Sequence, residues 1–585
     1  MSFLDTLSEP EIAIVNKYFH PVDFPAGACI MQEGESGEGC YLIDKGEVRI
    51  EIRNTETDSD SVLTYVDAGT FIGEVSLLDG KPRSASAFAQ TDVSARWFSR
   101  QDFDMLCEIH PRIGFAVIKD LGQDLSAKLR RETNKVAEYL FADEIDAGTN
   151  EMVARAVTAQ RAFADWDEGR VDALLAEIAE SVAGQAEALA EACVAETEMG
   201  VAKDKVAKIQ FGSLGVWNSI KGQPASGPLR FDDRRRVSEI ASPMGVVFGL
   251  VPLTNPVSTF VFKVLICLKG RNAIILSCHR NALGVGNRTG EIIQSVLQKH
   301  GAPADIVQWV RERGGRKKTM MFMKHPDVAF ILATGGPSMV RAAYSSGTPA
   351  IGVGAGNAPV WICADADLTA AAQMVVQSKS FDNGVLCGSE NNLVVDASVY
   401  PNFIQALEAS GAKVLTPDEK RRFIVQAFDW ENHTVKREFV GKSAQFIAGQ
   451  TNLGAKDVRL IVVPAALDEL PGPLGHEKLA PILSMFTVSG EADGLALCKR
   501  ILASEGSGHT AILHTADEEL AKRFSLEMPA SRILVNTPGS QGCAGICNGL
   551  TPSLTLGCGT YGGNSTTDNV TFTHLLNIKR MALSL

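Results

Sequence analysis

The chain lacks any run of about twenty uninterrupted apolar residues, the length a bilayer requires. Its longest apolar stretches, 244–253 and 257–268, are broken at Pro252 and Lys263, so no transmembrane helix is expected. Its first residues, MSFLDTLSEPEIAIV, carry acids where a secretory signal needs basic residues. Cysteine is sparse: twelve in 585 residues, and Cys29, Cys40, Cys107, Cys193 and Cys267 stand alone, which excludes a dense disulfide framework. Basic charge is also in short supply. Fifty-six Lys and Arg against 69 Asp and Glu leave a net charge of −13, a poor surface for coating nucleic acid. These absences point to a cytoplasmic globular protein whose partners are small molecules, without nucleic acid or membrane.

What is present is apolar residue enough for sizeable cores, at 45%, and 53 glycines for tight turns and close backbone approaches. The length predicts three or four folding units at about 150 residues each. The first ~110 residues read as β-rich. Gly, Asp and Ser clusters (FPAGA, EGESGEG, DKGE, DAGT, LDGKPRS) alternate with short period-two runs such as CYLIDKGEVRIEI, the pattern of a small antiparallel barrel or jelly roll. A helix is expected from Ile113 to Leu140, with one apolar stripe at Val117, Leu121, Leu125 and Leu129. That stripe fits either packing on the barrel or pairing with another copy. A polar stretch at 141–151 is the expected linker.

Residues 152–211 are Ala- and Glu-rich and predict helices. Beyond them, short apolar strands (GVVFGLVPL, NAIILSC, VAFILATGG, AIGVGAG) alternate with helical crossovers. This is the α/β pattern of a doubly wound parallel sheet, which binds nucleotides at the carboxyl ends of its strands.

Two segments carry chemistry. The first, FIGEVSLLDGKPRSASAFA (71–89), holds Gly73, Glu74, Arg83 and Ser84. An Arg fork with a Ser hydroxyl and small neighbours can grip a phosphate, and a nearby Glu can accept from a ribose hydroxyl. Taken alone, an Arg-Ser pair is a surface turn. With FPAG, EGE and YLIDKGEV upstream, the spacing resembles the phosphate cassette of the cyclic-nucleotide-binding domain over residues 10–135. The resemblance implies that Arg83 and Ser84 hold a cyclic phosphate, that Glu74 holds the ribose 2′-hydroxyl with Gly73 beside it, and that cyclic AMP is the ligand. Catabolite activators of that family continue into a helix-turn-helix. Here an enzyme-like half follows, so DNA binding loses its support.

The second segment, SKSFDNGVLCGSENNLVV, places Cys387 in a Gly-containing turn ahead of an apolar strand. Most cysteines are small buried hydrophobes; a thiolate at such a junction could attack a carbonyl. The block resembles the nucleophile motif of the aldehyde dehydrogenase superfamily, in its CoA-acylating branch. ETEMGVAKDKVAK, GLVPLTNPVST, ILATGGPSMVRAAYSSGTPAIGVGAGNAPV, HEKLAPIL, GSGHTAILHT, RILVNTPGSQG and PSLTLGCGTYGGNSTTDNV follow in the same order, and the likeness spans about 152–580. No counterpart of the iron-dependent alcohol dehydrogenase half of the bifunctional members is expected.

The resemblance implies a division into a cyclic-nucleotide domain at 1–140, a nucleotide-binding and oligomerisation part at 152–365 and 540–585, and a catalytic part at 366–539. It makes Cys387 the nucleophile, Asn255 the oxyanion donor and His509 an acid/base group near CoA. Glu477 would hold the nicotinamide ribose, and Pro252, Thr254, His279, Thr334, Gly335, Gly336 and Gly354 would line the cofactor site. NAD is the expected cofactor, with NADP as alternative because Arg280 tolerates a 2′-phosphate. CoA is the expected co-substrate, and a homodimer or larger homo-oligomer the expected assembly. No metal is expected: the spacing of Cys543 and Cys547 matches no common zinc site.

One departure shapes the expected chemistry. Hydrolytic members carry a Glu ahead of a Gly-Gly pair to activate water. Val353 stands there, and no acid occurs from Ser346 to Cys363. The expectation is therefore thiolysis: short-chain aldehyde, NAD and CoA giving acyl-CoA and NADH. A hydrolytic semialdehyde dehydrogenase and a signalling protein with an inert dehydrogenase half are the rivals. Acetaldehyde, propionaldehyde, sulfoacetaldehyde and succinate semialdehyde all remain open as substrates.

Overall fold

The computed structural model describes residues 7–54, 59–119, 121–122, 125, 145–430, 432–470 and 472–585. The chain divides into two compact units, Met1–Phe141 and Ala142–Leu585.

In the first unit, the period-two runs form two four-stranded antiparallel sheets. One has the order His20–Phe24, Val93–Ser99, Gly39–Lys45, Phe71–Ile72; the other has Cys29–Met31, Ser86–Ala89, Val48–Asn54, Ser59–Val66. The Gly and Asp clusters make the turns, with Gly27, Gly34, Gly46 and Gly69 all at positive φ. Phe19 stacks on Phe98 with ring centroids 4.6 Å apart. Helical residues 111–119 follow the helix Arg100–Ile109. Val117 and Leu121 of the expected stripe are buried in the same core as Phe98, while Leu129 and residues 141–144 of the expected linker lie outside the described residues.

The second unit opens with helices Ala147–Ala164, Glu168–Gly184, Ala186–Thr197 and Ala202–Gln210. Asp146 and Asp167 cap the first two by accepting from Thr149 N and Arg170 N. The first of them starts inside the stretch expected as linker. Two parallel sheets follow. The five-stranded sheet has the order Val307–Trp309, Ala273–Cys278, Val246–Val251, Val328–Thr334, Ala350–Val353. The seven-stranded sheet has the order Ala412–Val414, Leu460–Pro464, Ile482–Val488, Glu390–Asp396, Ala358–Ile362, Gly508–His514, Ala530–Val535. The chain crosses between them from Val353 to Ala358, ahead of the boundary expected at 365.

The helix Pro256–Lys269 is buried along its whole length, Lys263 included. Its amino group donates to Leu250 O at 2.6 Å and Leu332 O at 2.7 Å. It thereby ties together the carboxyl ends of two neighbouring strands. The C-terminal strand Leu576–Ala582 pairs with Val237–Pro243 in a three-stranded antiparallel sheet.

Candidate functional sites

In the first unit, Gly73 takes φ +80 and caps the short helix Glu74–Asp79. Arg83 Nη1 donates to Gly73 O at 2.9 Å. A Cβ at residue 73 would lie 2.4 Å from that nitrogen, so the approach requires glycine. The backbone of Arg83 is strapped to the EGE turn on both sides: Arg83 N donates to Glu35 O and Gly34 N donates to Arg83 O, each at 2.9 Å. Glu74 and Arg83 are buried and Ser84 is exposed. Burial lowers the pKa of the Arg83 guanidinium, because its charge is short of solvation there. An anion would relieve that shortage. The expected cassette residues are therefore adjacent, with the charge poised.

In the second unit, the carboxyl ends of the five-stranded sheet open into a cavity of about 1240 Å³. Pro252, Thr254, Asn255, His279, Thr334, Gly335, Gly336, Gly354, Cys387 and Glu477 all line it. Ten of the eleven residues expected in this site thus share one cavity, whose wall Val353 also forms. Gly336 caps the helix Pro337–Tyr344, which has no acid in its first turn. Pro337 has no N–H and Met339 N donates to Gly336 O at 3.0 Å, so Ser338 N is the first-turn amide open to an anion.

Cys387 is half-buried. Burial pushes its thiol up to about 12; the Glu477 carboxylate and Cys558 push the same way and Arg532 opposes them. At neutral pH the sulfur is held protonated. The loop ahead of it is kinked through three consecutive left-handed residues, Asp382, Asn383 and Gly384. Side chains from the first helices hold that conformation. Lys205 donates to the buried Asp382 carboxylate at 3.1 Å, Lys208 donates to the same oxygen, and Val201 N donates to the other oxygen at 2.8 Å. Asp382 N donates to Asp204 Oδ2 at 2.8 Å, and Asn383 Nδ2 donates to Gly441 O at 2.9 Å. Lys205 also donates to Thr254 O at 3.1 Å, so one buried cation cluster positions both the cysteine loop and the Thr254–Asn255 turn.

On the far side, a Cβ at Gly356 would stand 1.7 Å from Cys387 O. Asn255 Nδ2 donates to Thr254 Oγ1 at 3.1 Å, while its Oδ1 is buried without a partner. Turning the amide over keeps the Thr254 contact, since a hydroxyl both donates and accepts. It then presents Nδ2 where the unpaired oxygen stands.

Glu477 Oε1 accepts from Gly356 N at 3.2 Å. Burial raises its pKa to about 8, with the Glu505 carboxylate adding and Lys379 opposing. Lys379, lowered to about 7 by burial, donates to Asn391 Oδ1 at 2.9 Å and to Lys478 O at 2.7 Å. It bridges the Glu477 segment to the strand after Cys387.

His509 stands apart. It is buried, is not among the residues lining the cavity, and bonds through Nδ1 to Thr510 Oγ1 at 2.9 Å. Burial and then Arg532 lower it to about 3, so it is neutral. Lys205, Lys208, Lys379 and Asp382 were not singled out from sequence. The signal that could have found them is the FDNG turn, whose successive turn-formers demand an outside anchor.

A doubly wound fold whose strand ends open into one large cavity is the architecture of an enzyme with a small-molecule site. The aldehyde dehydrogenase family model matches residues 132–555, and the chain belongs to that family. The cyclic nucleotide-binding domain model matches residues 21–110. Among curated relatives, the bifunctional aldehyde-alcohol dehydrogenase AdhE of Escherichia coli is 39% identical over 442 residues, 74% of this chain and 49% of that protein. The chain thus spans about half the length of such relatives. The succinate-semialdehyde dehydrogenase (acetylating) of Clostridium kluyveri is 34% identical, covering 74% of this chain and 96% of its own length. A crystal structure of an acetylating aldehyde dehydrogenase from Geobacillus thermoglucosidasius superposes with a TM-score of 0.73 at 38% identity, over 75% of this chain and 96% of that one. No described helix is long and apolar enough to cross a membrane.

Proposed function

We propose that the second unit converts a short-chain aldehyde, NAD(P)⁺ and CoA to acyl-CoA and NAD(P)H, and that a cyclic nucleotide at the first unit regulates it. The observation that carries the reading is the unpaired Asn255 amide oxygen in the same cavity as the Cys387 thiol. The cavity fits a dinucleotide: its volume is ample, the acid-free start of the helix Pro337–Tyr344 with its Ser338 amide suits a pyrophosphate, and Glu477 suits a ribose hydroxyl. The bound nicotinamide supplies the hydride acceptor.

The Cys387 thiol gives up its proton to solvent, the thiolate adds to the aldehyde carbon, and the resulting oxyanion accepts from Asn255 Nδ2. The Cys387 backbone N–H, which already lies against its own sulfur, is the second donor. Collapse of the oxyanion expels the hydride with its electron pair and leaves a thioester on Cys387. The CoA thiolate then attacks the thioester carbonyl, and Cys387 departs as thiolate. Val353 offers no proton acceptor to water at the carboxyl end of its strand, which favours the sulfur nucleophile. His509 is proposed, from resemblance, to act on the CoA thiol once the cavity is filled. Its unpaired Nε2 supports that role.

Cyclic AMP is the proposed regulator. Arg83 and Ser84 would hold its phosphate and Glu74 its ribose. Regulation requires the ligand to prefer one of two states of the chain.

The test is NADH formation from acetaldehyde and propionaldehyde, with and without CoA, each with and without cyclic AMP. CoA-dependent NADH that responds to cyclic AMP is expected. Equal rates without CoA would overturn the thiolysis step, and an unaltered rate at saturating cyclic AMP would overturn regulation.

A further inference from the structure

Cys278, Cys387 and Cys543 line the cavity. Cys278 packs on Gly286 of the helix Leu283–Lys299. Cys543 packs on the loop of Cys387 itself. It ends the short helix Gly539–Cys543, and a Cβ at residue 388 would fall 2.0 Å from its Sγ and 2.7 Å from its Cβ. The Cys543 thiol thus lies on the bare Cα of Gly388, the residue that follows Cys387. The other end of the same helix meets the same glycine: a Cβ at residue 539 would lie 2.7 Å from Gly388 O.

Both backbones are pinned at this contact. Glu390 Oε1 accepts from Gly539 N at 2.7 Å, Ser540 N donates to Ser378 Oγ at 2.9 Å, and Asn569 Nδ2 donates to Cys543 O at 3.0 Å. The Cys387 carbonyl is closed in by Gly356. The Cys543 side chain is held less firmly. Its sulfur donates to Ser540 O over 3.5 Å, a weak contact that leaves the thiol free to turn about its Cα–Cβ bond.

The two thiols also act on each other. Burial, then Cys387, raise the Cys543 thiol, with Arg532 opposing and Glu390 and Cys547 adding. A buried cysteine is ordinarily a small apolar filler. This one shares the cavity of Cys387 and touches its loop, so an oxidised sulfur at 387 meets a second thiol inside the cavity.

We propose that Cys387 and Cys543 join in a reversible disulfide when a peroxide enters the cavity, and that Cys543 thereby guards Cys387 from irreversible oxidation. The Cys387 sulfur attacks one peroxide oxygen and the O–O bond breaks. Cys387 becomes a sulfenic acid, and the second oxygen leaves as water with the thiol proton. The Cys543 sulfur then attacks the Cys387 sulfur. The S–S bond forms, the S–O bond breaks, and the hydroxyl departs as water with the Cys543 proton. The two thiols lose two electrons and the peroxide gains them. The linkage stands on the packing of the two segments, while its effect on turnover rests on the dehydrogenase reading above.

The test treats the full chain with hydrogen peroxide, caps the remaining thiols with iodoacetamide, digests without reduction and reads the peptides by mass spectrometry. The expected product is a linked pair bearing Cys387 and Cys543, lighter than the sum of its peptides by two hydrogens and separated by dithiothreitol. NADH formation is expected to be lost as the linkage appears and to return with dithiothreitol. In Cys543→Ser and Cys543→Ala, whose folding is checked by thermal melts, Cys387 is expected to run on to the sulfinic acid, heavier by two oxygens, which dithiothreitol does not reverse. A linkage from Cys387 to Cys558, which also acts on Cys387, would overturn the proposal. So would a wild type that yields no linked pair, or one that reaches the sulfinic acid as readily as the variants. Untreated protein that forms no NADH would overturn the dehydrogenase reading alone, because the linkage is read by mass and not by activity.

Discussion

The two units bury charge for different purposes. Among the described residues of the first unit, the buried charged side chains are Glu74 and Arg83, two of the groups proposed to hold its ligand. The second unit buries Lys205, Lys208, Lys263, Lys269, Lys379 and Lys478, with Asp382 and Glu390 among their neighbours. None of these lines the cavity. They brace loops and strand ends behind it. A binding site needs a charge left short of solvation for its ligand to satisfy. A nucleophile in a kinked loop needs neighbours that fix backbone, and buried ion clusters do that at the risk of a large penalty if one partner is lost.

The comparison is sharpest at Asp382. Asp382→Ala would leave Lys205 and Lys208 buried without their carboxylate. A loss of about 3–5 kcal/mol in the stability of the second unit is expected, together with loss of NADH formation. Denaturant unfolding followed beside activity measures both, and a variant as stable as the wild type would show that the cluster is not a brace.

Arg83→Ala should behave in the opposite way. Cyclic AMP affinity is expected to fall about a hundredfold, as for the loss of a charge-assisted phosphate contact, with the melting temperature of the first unit held or raised. Calorimetry and a thermal melt give the two readings. A destabilised variant would make Arg83 a structural charge and erase the contrast.

Lys263→Met tests a brace nearer the nucleotide. Two carbonyls lose their donor, so about 2 kcal/mol of stability should go, with a rise in KM for the dinucleotide exceeding any change in kcat.

The smallest effect concerns pH. Alkylation of Cys387 should speed up as pH rises, because the thiolate fraction grows below a thiol pKa near 12. Glu477 ionises at about 8, and its new negative charge then holds the thiol proton more tightly. The climb should therefore flatten around pH 8 and regain its slope above it. In Glu477→Gln the break in slope should vanish; a break that persists would assign it to another group. Iodoacetamide labelling followed by mass spectrometry reads this directly.

The sheets and the cavity lining were legible because strands buried on both faces spell continuous apolar runs, and because the loops after them carry Gly, Thr and Asn in fixed order. The scaffold charges were not legible. Lys263 interrupts an apolar run and reads as a solvated break, yet it is fully buried on two carbonyls. Lys205 and Lys208 look like an exposed helix face until Asp382, 174 residues beyond Lys208, is brought against them. Long-range pairing of this kind leaves no periodicity in the chain. His509 shows the converse. Its motif is readable, but its burial away from the cavity wall belongs to tertiary packing.

The contact at Gly356 bears on how this protein could be altered. With Cys387 O only 1.7 Å from where a side chain would begin, position 356 is closed to variation unless Cys387 moves. A library aimed at bulkier or more polar aldehydes would waste its members there. Diversity belongs at Val385, Leu386 and Leu554, which share the cavity wall with Cys387 and whose side chains can be trimmed without displacing its backbone.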